Sequence, residues 1–89
     1  MDLEVTVLDF YSEFCMPCKM LAKDLDTICK DHPRIKIEKL DINDNYDLTL
    51  KYNIMSVPTL VVLKNNEIKN SYIGYKGIED LKKFINESM

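Results

Sequence analysis

The chain has 89 residues, 46% of them hydrophobic and 30% charged, with a net charge of -3 at pH 7. That length suits one domain, read as spanning residues 1–89, whose folding hides a little over ~60% of the extended-chain surface and builds a modest core without obligatory staples. Lysines and acids are interleaved so that no basic stripe faces a nucleic acid, no apolar run reaches membrane-spanning length, and the N-terminal MDLEVTVLDFY carries acids rather than a basic leader, which together predict a cytoplasmic protein.

In chain order, Val5 to Tyr11 is a near-continuous apolar, β-branched and aromatic segment, as expected of a central strand covered on both faces. Next comes a helix of about three to four turns, because Cys18, Leu21, Ala22, Leu25, Ile28 and Cys29 recur at helical spacing while Lys19, Lys23, Asp26 and Lys30 take the other side. Asp31-His32-Pro33 ends it. Ile35 to Asp41 alternates as a second strand, and a strand–helix–strand order of this length implies a right-handed parallel crossover. Asp44 to Tyr52 allows a short helix, and Thr59 to Leu63 is a further apolar strand. Asn65-Asn66, tolerant of positive φ, sets a tight hairpin into a strand over Glu67 to Ile73. A closing amphipathic helix carries Ile78, Leu81, Phe84 and Ile85, with Glu79 and Asp80 in its first turn as the helix dipole prefers. The order β-α-β-α-β-β-α gives an α/β fold with a mixed four-stranded sheet and helices on both faces.

The chemistry concentrates at Phe14-Cys15-Met16-Pro17-Cys18-Lys19, where two thiols three residues apart lie at the passage from strand to helix. In the cytosol thiols are kept reduced, so such a pair is catalytic or metal-binding rather than a structural staple. Cys15 is placed at the helix N-terminus, where unpaired backbone N–H groups and the macrodipole favour its thiolate. Cys18, one turn on, is within reach of a mixed disulfide formed at Cys15. Pro17 falls in the first turn, where its missing N–H is not needed.

The segment VLDFYSEFCMPCK, through Asp9, Phe10, Glu13, Cys15, Pro17, Cys18 and Lys19, resembles the active-site segment of the thioredoxin family. EKLDIND and YNIMSVPTLVVLKNNE resemble two further stretches of that family, and Gly74 with the helix after it also matches. The similarity runs from about Val5 to the C-terminus, without the family's first strand and helix. It implies a minimal thioredoxin fold with strand order 2-1-3-4 and the third strand antiparallel to the first two. Phe14 and Tyr11 stand where the family has Trp, and Met16 where it has Gly, which bears on reduction potential.

Asp9 shares a strand face with Val5 and Val7, and Lys39 shares one with Ile35 and Ile37. Either charge alone is costly on an apolar face, so a carboxylate of raised pKa near an ammonium is the economical arrangement. The resemblance gives Asp9 the role of accepting the Cys18 proton, with Lys39 as modulator; otherwise Asp9 terminates a strand near the surface. Pro58 could simply start its strand. The resemblance instead implies a cis Val57-Pro58 bond facing Cys15, with the Val57 backbone left to pair with an extended substrate. Gly74, otherwise a turn glycine, then allows close approach of a partner backbone. Met16, Pro17 and Met55 border the site and make its rim apolar.

Three function classes are open to these residues. A thiol–disulfide oxidoreductase uses Cys15 as nucleophile and Cys18 as resolving thiol on protein disulfides, and is favoured. A zinc module would have to recruit Cys29 and His32, yet the rise of about 16 Å from Cys18 to Cys29 also forbids a bond between them, and Cys29 is expected as an inert core thiol with His32 in a surface turn. A redox-silent interaction module has no use for two thiols at a helix start. Among oxidoreductases, Asp9 and EKLDIND resemble thioredoxin more than glutathione-dependent glutaredoxins. The expected partners are protein disulfides and a thioredoxin reductase or related reductant, possible use of glutathione being the alternative; the expectation is a monomer with no cofactor and no metal.

Overall fold

A computed structural model describes residues 4–89; Met1 to Leu3, part of the acidic N-terminal stretch, lie outside the described residues. Its elements follow in the order β1 (Val5–Tyr11), α1 (Met16–Cys29), β2 (Ile35–Asp41), α2 (Tyr46–Lys51), β3 (Thr59–Lys64), β4 (Glu67–Ile73) and α3 (Ile78–Ser88). The sheet order is β2-β1-β3-β4, as the resemblance implied. β1 runs parallel to β2, with Val5 beside Ile35 and Asp9 beside Lys39, and antiparallel to β3, with Asp9 beside Leu60. β3 and β4 form an antiparallel hairpin whose turn residues Asn65 and Asn66 both take positive φ, 56° and 65°. Asparagine accepts that conformation at lower cost than most residues, so the turn follows directly from the pair.

Period-2 alternation sends β1 side chains to two cores. Val5 and Val7 join Leu60, Val62 and Tyr72 beneath Leu21, Leu25 and Ile28 of α1 and Leu81, Phe84 and Ile85 of α3. Leu8 and Phe10 join Leu40 and Val61 on the opposite face, where Leu48 and Tyr52 cover them. Each such buried side chain contributes about 1.5–3 kcal/mol relative to exposure, which is why the central strand is apolar on both faces. Among the described residues, no helix is long and apolar enough to cross a membrane.

The refinements are local. α1 begins at Met16, two residues before the apolar periodicity starts, because Cys15 caps it and Pro17 suits its first turn. Cys29 is half-buried at the border of the α1–α3 core rather than inside it, being the last residue of α1 and followed by the exposed Lys30 and Asp31. His32 is also half-buried, its N–H donating to Cys29 C=O at 3.0 Å, so the turn after α1 is closed by backbone bonds. The short helix is α2, and none of its own residues is fully buried.

Candidate active site

Helix α1 starts at the C-terminal end of β1, and the site is built from that junction. Cys15 has extended backbone angles and its Sγ accepts the Cys18 N–H at 3.2 Å, the geometry of a capping side chain. A sulfur at this place meets unpaired backbone donors and the positive end of the helix dipole, both of which favour a thiolate. Cys15 and Cys18 are joined in a disulfide with Cα atoms 5.2 Å apart. The two sulfurs differ in access: Cys15 is partly exposed, whereas Cys18 is 2% exposed.

Asp9 is 1% exposed and faces the α1 side of the sheet. It lines a cleft of about 320 Å³ together with Cys18, Lys39, Glu13 and Lys19, so the buried sulfur and the buried carboxyl open on one space. Asp9 Oδ1 has no hydrogen-bond partner among the described residues. Burial pushes its pKa from 3.8 to about 6; the Lys39 ammonium pulls the other way and the Asp26 carboxylate adds to the rise. Lys39 Nζ lies 3.4 Å from Asp26 Oδ2, and both side chains are about half exposed, so the ammonium is paired with Asp26 and acts on Asp9 through space. By helical spacing Asp26 belongs to the solvent face of α1. Only the packing of α1 over β2 reveals its part, since nothing in the spacing from Asp9 or Lys39 signals it.

The Val57-Pro58 peptide is cis. Among the described residues none hydrogen-bonds the Val57 backbone, while Pro58 C=O accepts from Gly74 N–H at 2.8 Å. Gly74 adopts φ +83°, a conformation that side-chain-bearing residues avoid, with open space where a Cβ would stand. Phe14, Met16, Met55 and Ile73 are exposed apolar side chains around these segments, from 61% for Ile73 to 91% for Phe14. The sequence does not mark Ile73, because a residue of an alternating strand gives no hint that its outward face stays uncovered.

Cys29 stands apart from this constellation. It is a free thiol whose pKa burial pushes up to about 11, with the Asp26 carboxylate adding to the rise. Near neutral pH it is therefore protonated and a poor nucleophile. Cys29→Ser is expected to keep disulfide-reductase activity within about twofold of wild type, with a modest stability loss from altered packing. An insulin-reduction assay checks this, and loss of activity in a folded variant would reveal a third redox thiol. Among the described residues, no group of three or more His, Cys, Asp or Glu side chains is arranged to hold a metal ion.

The thioredoxin family model matches residues 2–87. A thioredoxin of Bacillus subtilis is 36% identical over 86 residues, covering 96% of this chain and 83% of that protein. One from Rickettsia felis is 39% identical, covering 99% of this chain and 84% of that protein. Among solved structures, a malaria-parasite thioredoxin-2, described as a component of the parasite's protein secretion machinery, superposes with a TM-score of 0.85 at 30% identity, covering 98% of this chain and 85% of that one.

Proposed function

The chain belongs to the thioredoxin family of thiol–disulfide oxidoreductases, and on that premise we propose that Cys15 is its attacking thiol and Cys18 its resolving thiol in the reduction of protein disulfides. The observation that carries this division is the contrast between a partly exposed cap sulfur and a buried partner bonded to it.

The Cys15 thiolate attacks one sulfur of a substrate disulfide; a Cys15–substrate bond forms, the substrate S–S bond breaks, and the departing sulfur takes up a proton. Cys18 then loses its proton to the Asp9 carboxylate and attacks Cys15 Sγ. This second exchange forms the Cys15–Cys18 disulfide and releases the other substrate thiol, so two electrons pass to the substrate. A carboxyl with pKa about 6 is matched to that transfer, being ionised at neutral pH yet basic enough to accept. Lys39 tempers its basicity.

Val57, whose backbone groups bond to none of the described residues, Pro58 and Gly74 form the proposed groove for an extended substrate, and Met16 with Pro17 forms its rim on the helix side. Thioether and aromatic side chains adapt to irregular apolar surfaces, which favours proteins over small disulfides. We read residues 1–89 as one functional unit, acting as a monomer in the cytosol and re-reduced by a thioredoxin reductase or a relative of it. Offering the oxidised protein NADPH with thioredoxin reductase, or glutathione, tests that reductant: rapid re-reduction by glutathione alone would move it to the glutaredoxin-like alternative. Cys15 is expected to be alkylated faster than Cys29 in the reduced protein near neutral pH, by about a hundredfold or more given thiolate character at a helix N-terminus. Peptide mapping after brief iodoacetamide treatment reads this, and faster labelling of Cys18 or Cys29 would reverse the roles.

A further inference from the structure

We infer that Tyr75 and Asp24 are positioning residues for the substrate groove, because their hydrogen bond ties the loop that carries Gly74 to the helix that carries both cysteines. This rests on the reading of Val57, Pro58 and Gly74 as that groove. The loop between β4 and α3 has Gly74 at φ +83° and Gly77 at φ +97°, and a Cβ added at either would meet nothing within 4 Å. Neither glycine is demanded by crowding; each is demanded by its backbone angle. A four-residue connection bounded by two glycines loses much freedom on ordering, so its position depends on what anchors it.

Two anchors are visible. On one side Gly74 N–H donates to Pro58 C=O at 2.8 Å, one step beyond the Thr59–Ile73 pair, which extends the β3–β4 ladder to the groove. On the other side the Tyr75 hydroxyl donates to Asp24 Oδ2 of α1. Both residues are half-buried, and the Tyr75 side chain packs against the core under α1 and α3. A phenol donating to a carboxylate is a charge-assisted bond, stronger than a neutral one and held here partly away from water. The carboxylate accordingly keeps the phenol protonated, with Tyr75 pushed above its ordinary pKa chiefly by this bond.

The chain of contacts runs from Pro58 through Gly74 and Tyr75 to Asp24, and thus fixes the groove wall relative to the helix whose first turn presents Cys15. A protein substrate must meet the Cys15 sulfur and the Val57 backbone together, so it feels any slack between them. A small aromatic disulfide needs only the sulfur. Removing the tether should therefore weaken protein substrates selectively and leave the chemistry intact.

The test compares Tyr75→Phe, Asp24→Ala, their double variant and Asp24→Asn with wild type, using insulin and 5,5′-dithiobis(2-nitrobenzoate) as substrates. Tyr75→Phe and Asp24→Ala should each raise KM for insulin about three- to tenfold, with kcat and the small-disulfide rate within about twofold, as loss of one hydrogen bond would produce. The double variant should be no worse than either single one, Asp24→Asn should recover most of the loss because its carbonyl still accepts, and Gly74 amide exchange should quicken in Tyr75→Phe. An unchanged KM in folded Tyr75→Phe, losses that multiply in the double variant, or an equal loss on both substrates would overturn the tether. Wild type that reduces the small disulfide but not insulin would instead sink the groove reading, and the tether with it.

Discussion

Cys15→Ser is expected to lower disulfide reduction by more than about a thousandfold, because no other sulfur in the chain combines thiolate character with access. Cys18 is 2% exposed, and Cys29 is protonated at neutral pH. Cys18→Ser should fail differently. There the cap sulfur remains able to attack, but a hydroxyl cannot displace the bound substrate, so mixed disulfides accumulate and appear as adducts on non-reducing gels. The two variants thus separate attack from resolution: one traps nothing, the other traps its partners. Equal inactivity with no adduct from Cys18→Ser, under conditions where wild type turns over, would contradict the division of labour.

Asp9→Asn is expected to stabilise the oxidised protein at neutral pH while slowing turnover about a hundredfold, the usual scale for loss of a positioned proton acceptor. The direction of the stability change follows from the two ionisation states. Folded, the carboxyl titrates at about 6; unfolded, it returns to 3.8. Below the unfolded value both states are protonated and ionisation adds no cost. Between about pH 4 and 6 the unfolded chain ionises first, so stability falls as pH rises, and above the folded pKa the loss is complete at roughly 3 kcal/mol. Wild type and Asp9→Asn should therefore unfold at similar denaturant concentrations near pH 3.5, with the variant ahead by that amount at pH 7. Urea melts across pH, paired with insulin-reduction rates, measure both halves. Coincident melts at pH 7 together with unchanged turnover would make Asp9 a structural residue rather than the proton acceptor.

Strand and helix bounds were legible wherever periodicity was strong. β1, β2 and β4 begin and end at the residues that the pattern indicated. The cysteine pair and its place at a helix start were legible for the same reason. Asp9 and Lys39 read as charges interrupting apolar faces, and the register sets them side by side, with Asp9 buried and Lys39 half exposed. Less was visible where function depends on packing between elements remote in sequence. Asp26 reads as an ordinary polar position on α1 until β2 brings Lys39 to it. Tyr75 and Asp24 lie 51 residues apart, and no spacing rule relates a loop tyrosine to a helix acid. Cys29 matched the core face by its angle on the helix, yet angle alone does not tell how far along a helix the covering layer extends.

The most direct measurement is a single-turnover electron balance. Fully reduced protein is mixed with one equivalent of a disulfide-bonded peptide, quenched in acid, alkylated and mapped by mass spectrometry. One Cys15–Cys18 disulfide should appear for each peptide disulfide lost, with a transient peptide adduct on Cys15 at early times and Cys29 alkylated throughout. Peptide reduction with Cys15 and Cys18 still present as free thiols, or an adduct carried by Cys29, would contradict exchange through the capped pair.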